Sequence, residues 1–138
     1  SFHPFQNIDI DSNLHFNFLN VTRECSAVTG ACVITKKEIF NKINGFDEDF
    51  DVYYGDTDLC LKIINCGYSI LYVPYVTLLH EGSHSIKTTM INNTIQKTQG
   101  HFAVENHRRF ISKWPKIKNG DPFYNKNLGW DYLIKSVE

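Results

Sequence analysis

From Asp56 to Cys66 the apolar residues Leu59, Ile63 and Cys66 recur on one face of a helical wheel, with Cys60 and Ile64 beside them and Asp58, Lys62 and Asn65 opposite. That spacing predicts an amphipathic helix over 56–66. Gly67 follows at once and supplies a stop. Tyr68 to Val73 then reads as a strand that Pro74 breaks or leaves at an edge, and Val76 to His80 as a second short extended run. A helix and a strand so joined are expected to pack face to face.

The segments on either side carry weaker versions of the same signals. Ala27 to Thr35 is rich in β-branched and small residues and reads as a mostly buried strand. It leads into KKEIFNKI, residues 36–43, where Ile39, Phe40 and Ile43 have helical spacing and Asn44-Gly45 ends the helix. Residues 1–25 have little period and many turn-formers, so they read as an irregular lead-in. The polar stretch from Glu81 to Thr89 has the length of a functional loop. Asn92 or Asn93 then caps a helix reaching about Trp114, its apolar positions Ile95, Phe102, Phe110 and Ile111 sparse and interrupted by Gly100, with Pro115 ending it. Residues 115–138 read as a loop-like tail held by Phe123, Tyr124, Leu128 and Trp130. The expectation is one domain over 1–138, with its core at 26–114. A chain of 138 residues buries about 68–70% of its unfolded surface, enough for a core without disulfides or structural metal.

Charge and composition exclude several functions. Fourteen basic against fifteen acidic residues give a net charge of -1, so no global field favours nucleic acid or an anionic membrane, and the pair Arg108-Arg109 is too small to change that. An aromatic content of 14% rules out a disordered tail. The apolar stretch Ile70–Val76, interrupted by Pro74, falls far short of the ~20 residues that cross a bilayer. The opening SFHPFQN does not read as a leader. Cys25, Cys32, Cys60 and Cys66 form no CxxC pair and are expected as free, buried thiols in a reducing compartment. No GxSxG, GxxxxGK[ST] or GxGxxG is present.

Asp47, Glu48, Asp49, Asp51, Asp56 and Asp58 place six carboxylates within twelve residues. A calcium loop starting at Asp47 would need Gly at its sixth position and Glu at its twelfth, where Val52 and Asp58 stand. Two readings remain. One is a solvated acidic turn whose carboxylates answer a helix dipole, worth about 0.3–1 kcal/mol each. The other singles out Asp56, which follows Tyr53-Tyr54-Gly55 where a helix begins. There a carboxylate accepts backbone N–H groups while its oxygens face out, and it can take a proton from an alcohol that is already bonding to an oxocarbenium-like sugar carbon. His80, at the carboxyl end of an extended run and beside Glu81-Gly82-Ser83, sits where α/β folds place ligands. It can hold a divalent metal or a phosphate oxygen, or serve as an ordinary structural hydrogen-bonding residue. His84 is a weaker candidate, and His3, His15, His101 and His107 share no metal spacing with His80.

Ser26 to Ser83 resembles the C-terminal half of the catalytic domain of family 2 glycosyltransferases of the GT-A fold, nearest to the bacterial enzymes that build rhamnose-containing and O-antigen-like polysaccharides. The carriers are SAVTGACVITKKEIFNKINGFDEDF (26–50), YYGDTDLCLKIINCGYSILYVP (53–74) and LLHEGSHS (78–85), while Trp114 and DPFYNKNL (121–128) look like the tail that follows the last helix. The resemblance implies an α/β class, α+β within this stretch, and inverting transfer from a nucleotide-sugar donor to a glycan or lipid-linked hydroxyl. It makes Asp56 the general base, matching the second acid of an ED motif whose first acid is replaced by Gly55. Gly45-Phe46-Asp47-Glu48 matches a GGFDE turn with Asn44 in place of its first glycine. Thr29-Gly30-Ala31 would line the cleft, and Thr29, Gly30, Tyr54, Asp58 and Ser83 would bind substrate.

His80 would join a Mg²⁺ or Mn²⁺ and diphosphate site, with Ser83 completing an HxxS pattern. The nucleotide-binding, Rossmann-like N-terminal half with its DxD motif is not matched. Asp9-Ile10-Asp11 spells DxD without strand–helix units before it, and Asp56-Thr57-Asp58 sits in the base motif instead. The expectation is therefore about half of a catalytic unit, inactive in isolation, cytoplasmic or peripheral at the inner face of the membrane, and able to form a homodimer through a bare sheet edge. The alternative is a non-catalytic glycan-binding or assembly module that retains the fold.

Overall fold

The computed structural model describes residues 18–50, 53–78 and 93–124, except the side chains of Phe18 and of residues 93–102. Along the chain come a 3₁₀ turn at Phe18–Asn20, β1 (Arg23–Glu24), α1 (Lys37–Lys42), α2 (Gly55–Asn65), β2 (Leu71–Tyr72), α3 (Asn93–Lys113) and a second 3₁₀ turn at Pro115–Asn119. The described residues are thus α+β, three helices and one two-stranded antiparallel ribbon.

Helix α2 forms where the apolar period predicts and organises the core. Leu59, Cys60 and Ile63 are buried with Ile43 after α1 and Ile70 before β2, and Cys25, Ala27, Val28, Ile39, Phe40 and Ile64 pack around them. Each fully buried aliphatic side chain contributes about 1.5–3 kcal/mol. The predicted stops act as expected. Asn44 and Gly45 both adopt φ of 58°, and the Gly45 amide donates to Phe40 O at 2.8 Å. A Cβ on Gly45 would lie 2.9 Å from the Phe40 ring, so this left-handed corner needs glycine for both conformation and space. After α2, Gly67 at φ 86° donates to Ile64 O at 2.9 Å.

The ribbon joins distant parts of the chain. Arg23 pairs with Tyr72 and Glu24 with Leu71, and the Cys25 amide donates to Ile70 O at 3.0 Å. The Arg23 guanidinium lies 4.1 Å from the Tyr72 ring centre, and the Tyr72 hydroxyl donates to Leu19 O at 3.0 Å. β1 thus comes from the stretch expected as an irregular lead-in, because a two-residue strand has no periodic signature and takes its order from its partner.

Several expectations need correction. Ala27 to Thr35 is not a strand, since no described segment forms a ladder with it; Ala27 and Val28 still pack on the core while Ile34 is 95% exposed. The strand expected over 68–73 contracts to Leu71–Tyr72, the two residues that β1 pairs. Val76 to Leu78 is irregular and exposed, and residues 79–80 of that run lie outside the described residues. Gly100 does not interrupt α3, whose 21 residues absorb the ~1 kcal/mol that an interior glycine costs. Phe110 of the expected stripe is buried and Ile111 half-buried; Ile95 and Phe102 fall outside the described side chains, as do Leu128 and Trp130 of the tail. All four cysteines are free, but only Cys60 is buried: Cys25 is half-buried, and Cys32 and Cys66 are exposed. Cys32 lies in the run that forms no strand, and Cys66 turns outward at the C-cap of α2. Burial pushes the thiols of Cys60 and Cys25 above the usual range. Among the described residues no helix is long and apolar enough to cross a membrane.

Leu59→Ala, which empties a position only 2% exposed, is expected to lower the unfolding free energy by about 2–5 kcal/mol in urea denaturation. In native protein a thiol reagent is expected to label Cys32 and Cys66 quickly and Cys60 only on unfolding, as read by mass spectrometry of the labelled peptides.

Candidate active site

Asp56 stands in the first turn of α2 and is gripped by main chain from two directions. Its Oδ1 accepts the Thr57 amide at 2.8 Å and the Thr57 hydroxyl at 3.3 Å; its Oδ2 accepts the Gly30 amide at 3.0 Å. The last bond crosses 26 positions of sequence and brings Thr29-Gly30-Ala31 against the carboxylate. A side chain at Gly30 would crowd this approach, since its Cβ would lie 3.2 Å from Asp56 Cβ. Thr29 shapes the turn by accepting the Ala31 amide on its hydroxyl at 3.3 Å. Asp56 remains partly exposed. A carboxylate oxygen has room for about two donors, so Oδ2, which takes one, keeps a lone pair for an incoming proton.

Asp58, two residues on, is not on a polar face as its helical position suggested. It is 0% exposed, because the C-terminal end of α3 covers it. Trp114 Nε1–H donates to Oδ1 at 2.8 Å, and the Lys113 ammonium lies 2.8 Å from the same oxygen and 2.6 Å from Asp47 Oδ2. Lys62, one turn along α2, comes within 3.9 Å of Oδ2, which has no hydrogen-bond partner among the described residues. So enclosed, Asp58 faces these side chains and presents no surface to a substrate. The hydrogen bond from Lys113, then that of the Asp49 amide, holds the Asp47 carboxyl below the usual range. Burial alone would depress the Lys113 amine, but hydrogen bonds and charge from Asp47 and Asp58 outweigh it and raise the amine overall.

Tyr54 precedes α2 with φ of 71°, a left-handed conformation that costs a bulky residue about 1–2 kcal/mol. Its ring stacks on Phe110 at 4.6 Å between centres, and its hydroxyl is 3.0 Å from His107 Nδ1. Phe50 meets Phe110 edge-on at 6.2 Å. His107, Lys113 and the inward turn of Trp114 had no local signal: each partner lies more than fifty residues away. His80 and Ser83 lie outside the described residues. Among the described residues no three His, Cys, Asp or Glu side chains converge as metal ligands. The described donors therefore do not make a metal site.

The described residues thus present Asp56 as a partly exposed carboxylate held by backbone amides from two segments. Comparison with known proteins makes the class specific. Residues 12–85 match the family described as the N-terminal domain of galactosyltransferase, and the chain belongs to that family. Several of its relatives carry the names of bacterial O-antigen or rhamnosyltransferase proteins. The O-antigen biosynthesis protein RfbC of Myxococcus xanthus is 30% identical over 127 residues, 91% of this chain and 9% of that protein. The N-acetylglucosaminyl-diphospho-decaprenol L-rhamnosyltransferase of Mycobacterium tuberculosis is 33% identical over 58 residues, 42% of this chain and 19% of that protein. The dTDP-rhamnosyl transferase RfbF of Shigella flexneri is 28% identical over 83 residues, 59% of this chain and 28% of that protein. The chain thus spans less than a third of the length of each of these relatives. No solved structure matches the chain.

The directions at Asp47 and Lys113 set a pH dependence. A depressed carboxyl adds stability above its ordinary value of 3.8 that is lost as pH falls; a raised amine adds stability below 10.5 that is lost as pH rises. The contribution of this ion pair to stability should therefore hold between about pH 4 and 10 and fall at both ends. The gap between wild type and Lys113→Met should narrow at either extreme in a pH series of thermal melts.

Proposed function

We propose that the chain is the acceptor-side part of an inverting glycosyltransferase of family 2 and GT-A fold, with Asp56 as its general base. The observation that supports this is the Asp56 carboxylate itself, held by amides from two segments yet partly exposed. In a single displacement the acceptor hydroxyl gives its proton to Oδ2 as its oxygen bonds to the anomeric carbon. The bond to the diphosphate breaks on the opposite side, so a nucleoside diphosphate leaves and the configuration inverts. Thr29 and Gly30 border the base, Tyr54 flanks it, and Ser83 completes the contacts to substrate. The names of the relatives favour an activated rhamnose as donor and a glycan or lipid-linked hydroxyl as acceptor.

A Mg²⁺ or Mn²⁺ ion near His80 would neutralise the diphosphate; the residues described around Asp56 do not hold it. The nucleotide-binding half is assigned to another part of the catalytic unit, without which this part does not turn over. The setting proposed is cytoplasmic or peripheral at the inner membrane face, with self-association through the sheet edge as a further expectation.

In full-length protein, with dTDP-L-rhamnose and N-acetylglucosaminyl-diphospho-decaprenol as probes, Asp56→Asn is expected to lower kcat about 10²–10⁴-fold while the melting temperature stays close to wild type. A kcat within threefold of wild type would sink the base assignment.

A further inference from the structure

The residues two before and two after Asp56 are both held by α3. Tyr54 is propped in its left-handed conformation by Phe110, and Asp58 is enclosed by Lys113, one turn further along the same helix, and by Trp114 just past its end. The two held residues are also tied to each other, the Asp58 amide donating to Tyr54 O at 2.7 Å. Asp56 therefore rides on a turn whose ends are set by another element. Pro115 halts α3 directly after Trp114, whose own amide still bonds to Phe110 O at 2.9 Å. That leaves the indole at a helix end, where it reaches Asp58 Oδ1. Lys113 links the same carboxylate to Asp47, so the Gly45–Asp49 corner is held against the turn as well.

We propose that Lys113 and Trp114 are positioning residues that orient Asp56, by gripping Asp58, toward Gly30 and the acceptor. The inference rests on the reading of Asp56 as base, but its geometry is separate from that reading. A fully buried carboxylate that loses one of its partners is left undercompensated, which favours any shift that brings it another. A shift of Asp58 carries the first turn of α2 with it, and the reporter of that shift is the bond from the Gly30 amide to Asp56 Oδ2. A displacement of about 1 Å at a reacting group costs up to a hundredfold in rate.

The test is Trp114→Phe in the full-length protein, which keeps a ring and removes the indole N–H, with hydrogen exchange read at single amides. Exchange at Gly30 and Thr57, the amides bonded to Asp56, is expected to speed up about tenfold while the core amide of Ile63 stays as protected as in wild type. Transfer from dTDP-L-rhamnose is expected to fall in kcat by roughly ten- to hundredfold with KM within about twofold. Lys113→Met, read at the same amides, serves where Trp114→Phe does not fold, and Lys113→Arg should restore protection. Arg109→Gln, which breaks the exposed pair of Arg109 with Asp49, should leave all three amides unchanged. Unchanged exchange at Gly30 and Thr57, equal acceleration at Ile63, or an equal effect of Arg109→Gln would each overturn the inference. Exchange needs no turnover, so it decides the positioning question whether or not Asp56→Asn upholds the base.

Discussion

The burial of the Asp58 carboxylate constrains everything around it. An ion removed from water loses several kcal/mol of hydration, and only close partners offset that loss. Asp58 finds two on one oxygen, the Trp114 indole and the Lys113 ammonium, and both come from the last turn of α3 and the residue after it. Since Lys113 also pairs with Asp47, three segments meet at one ammonium group. The surrounding rings add to this: the ammonium lies 5.5 Å from the Phe50 ring centre, and Phe50 in turn meets Phe110. Helix α3 is thus docked by a polar centre with an aromatic layer beside it, whereas α1, α2 and the ribbon close around aliphatic residues.

Asp56 and Asp58 are the same residue type two positions apart, and the fold treats them oppositely. Asp58 turns inward and is satisfied by side chains, one of them charged. Asp56 turns outward and is satisfied by two backbone amides and a hydroxyl, with no cation paired to it among the described residues. Amide donors belong to the main chain and move only with it, so they fix direction without supplying a competing proton or a full counter-charge. That is the environment in which a carboxylate can be aimed at a substrate hydroxyl and still accept its proton. The pairing makes structural sense as a unit, an inward acid holding the turn on which the outward one is displayed.

Legibility in the sequence divides along the same line. The three helices and both glycine stops were readable because their signals are local: a 3.6-residue period, Asn44-Gly45 and Gly67. The closeness of Thr29-Gly30 to Asp56 followed from the resemblance, since no spacing argument connects positions 26 apart. Ala27–Thr35 forms no strand because β-branched composition favours one only where a neighbour supplies a ladder, and that neighbour pairs with Arg23–Glu24 instead. Asp58 departs from its helical-wheel position because a wheel separates polar from apolar faces but carries no sign that Lys113 and Trp114 arrive to cover the polar one. Cys32 and Cys66 failed for a related reason: an apolar neighbourhood in sequence does not guarantee burial at a coil or a helix end.

Gly55 is where the chain departs from the paired-acid motif it resembles, and the geometry bears on what that departure does. Gly55 does not have a left-handed backbone, and a Cβ there would meet Phe50 O at 3.5 Å and Phe50 Cβ at 3.9 Å, ordinary contact distances. Glycine is therefore not required at this position by conformation or by space, in contrast to Gly45. The left-handed turn is placed one residue earlier, on Tyr54, whose ring supplies the stacking on Phe110 that glycine could not. An acid at position 55 would add a second negative charge next to Asp56, whereas glycine leaves Asp56 as the one ionisable group of the helix's first turn that faces outward, since Asp58 is enclosed. The lost carboxylate thus simplifies the electrostatics of the turn without disturbing the bonds that orient Asp56, which come from Gly30 and Thr57.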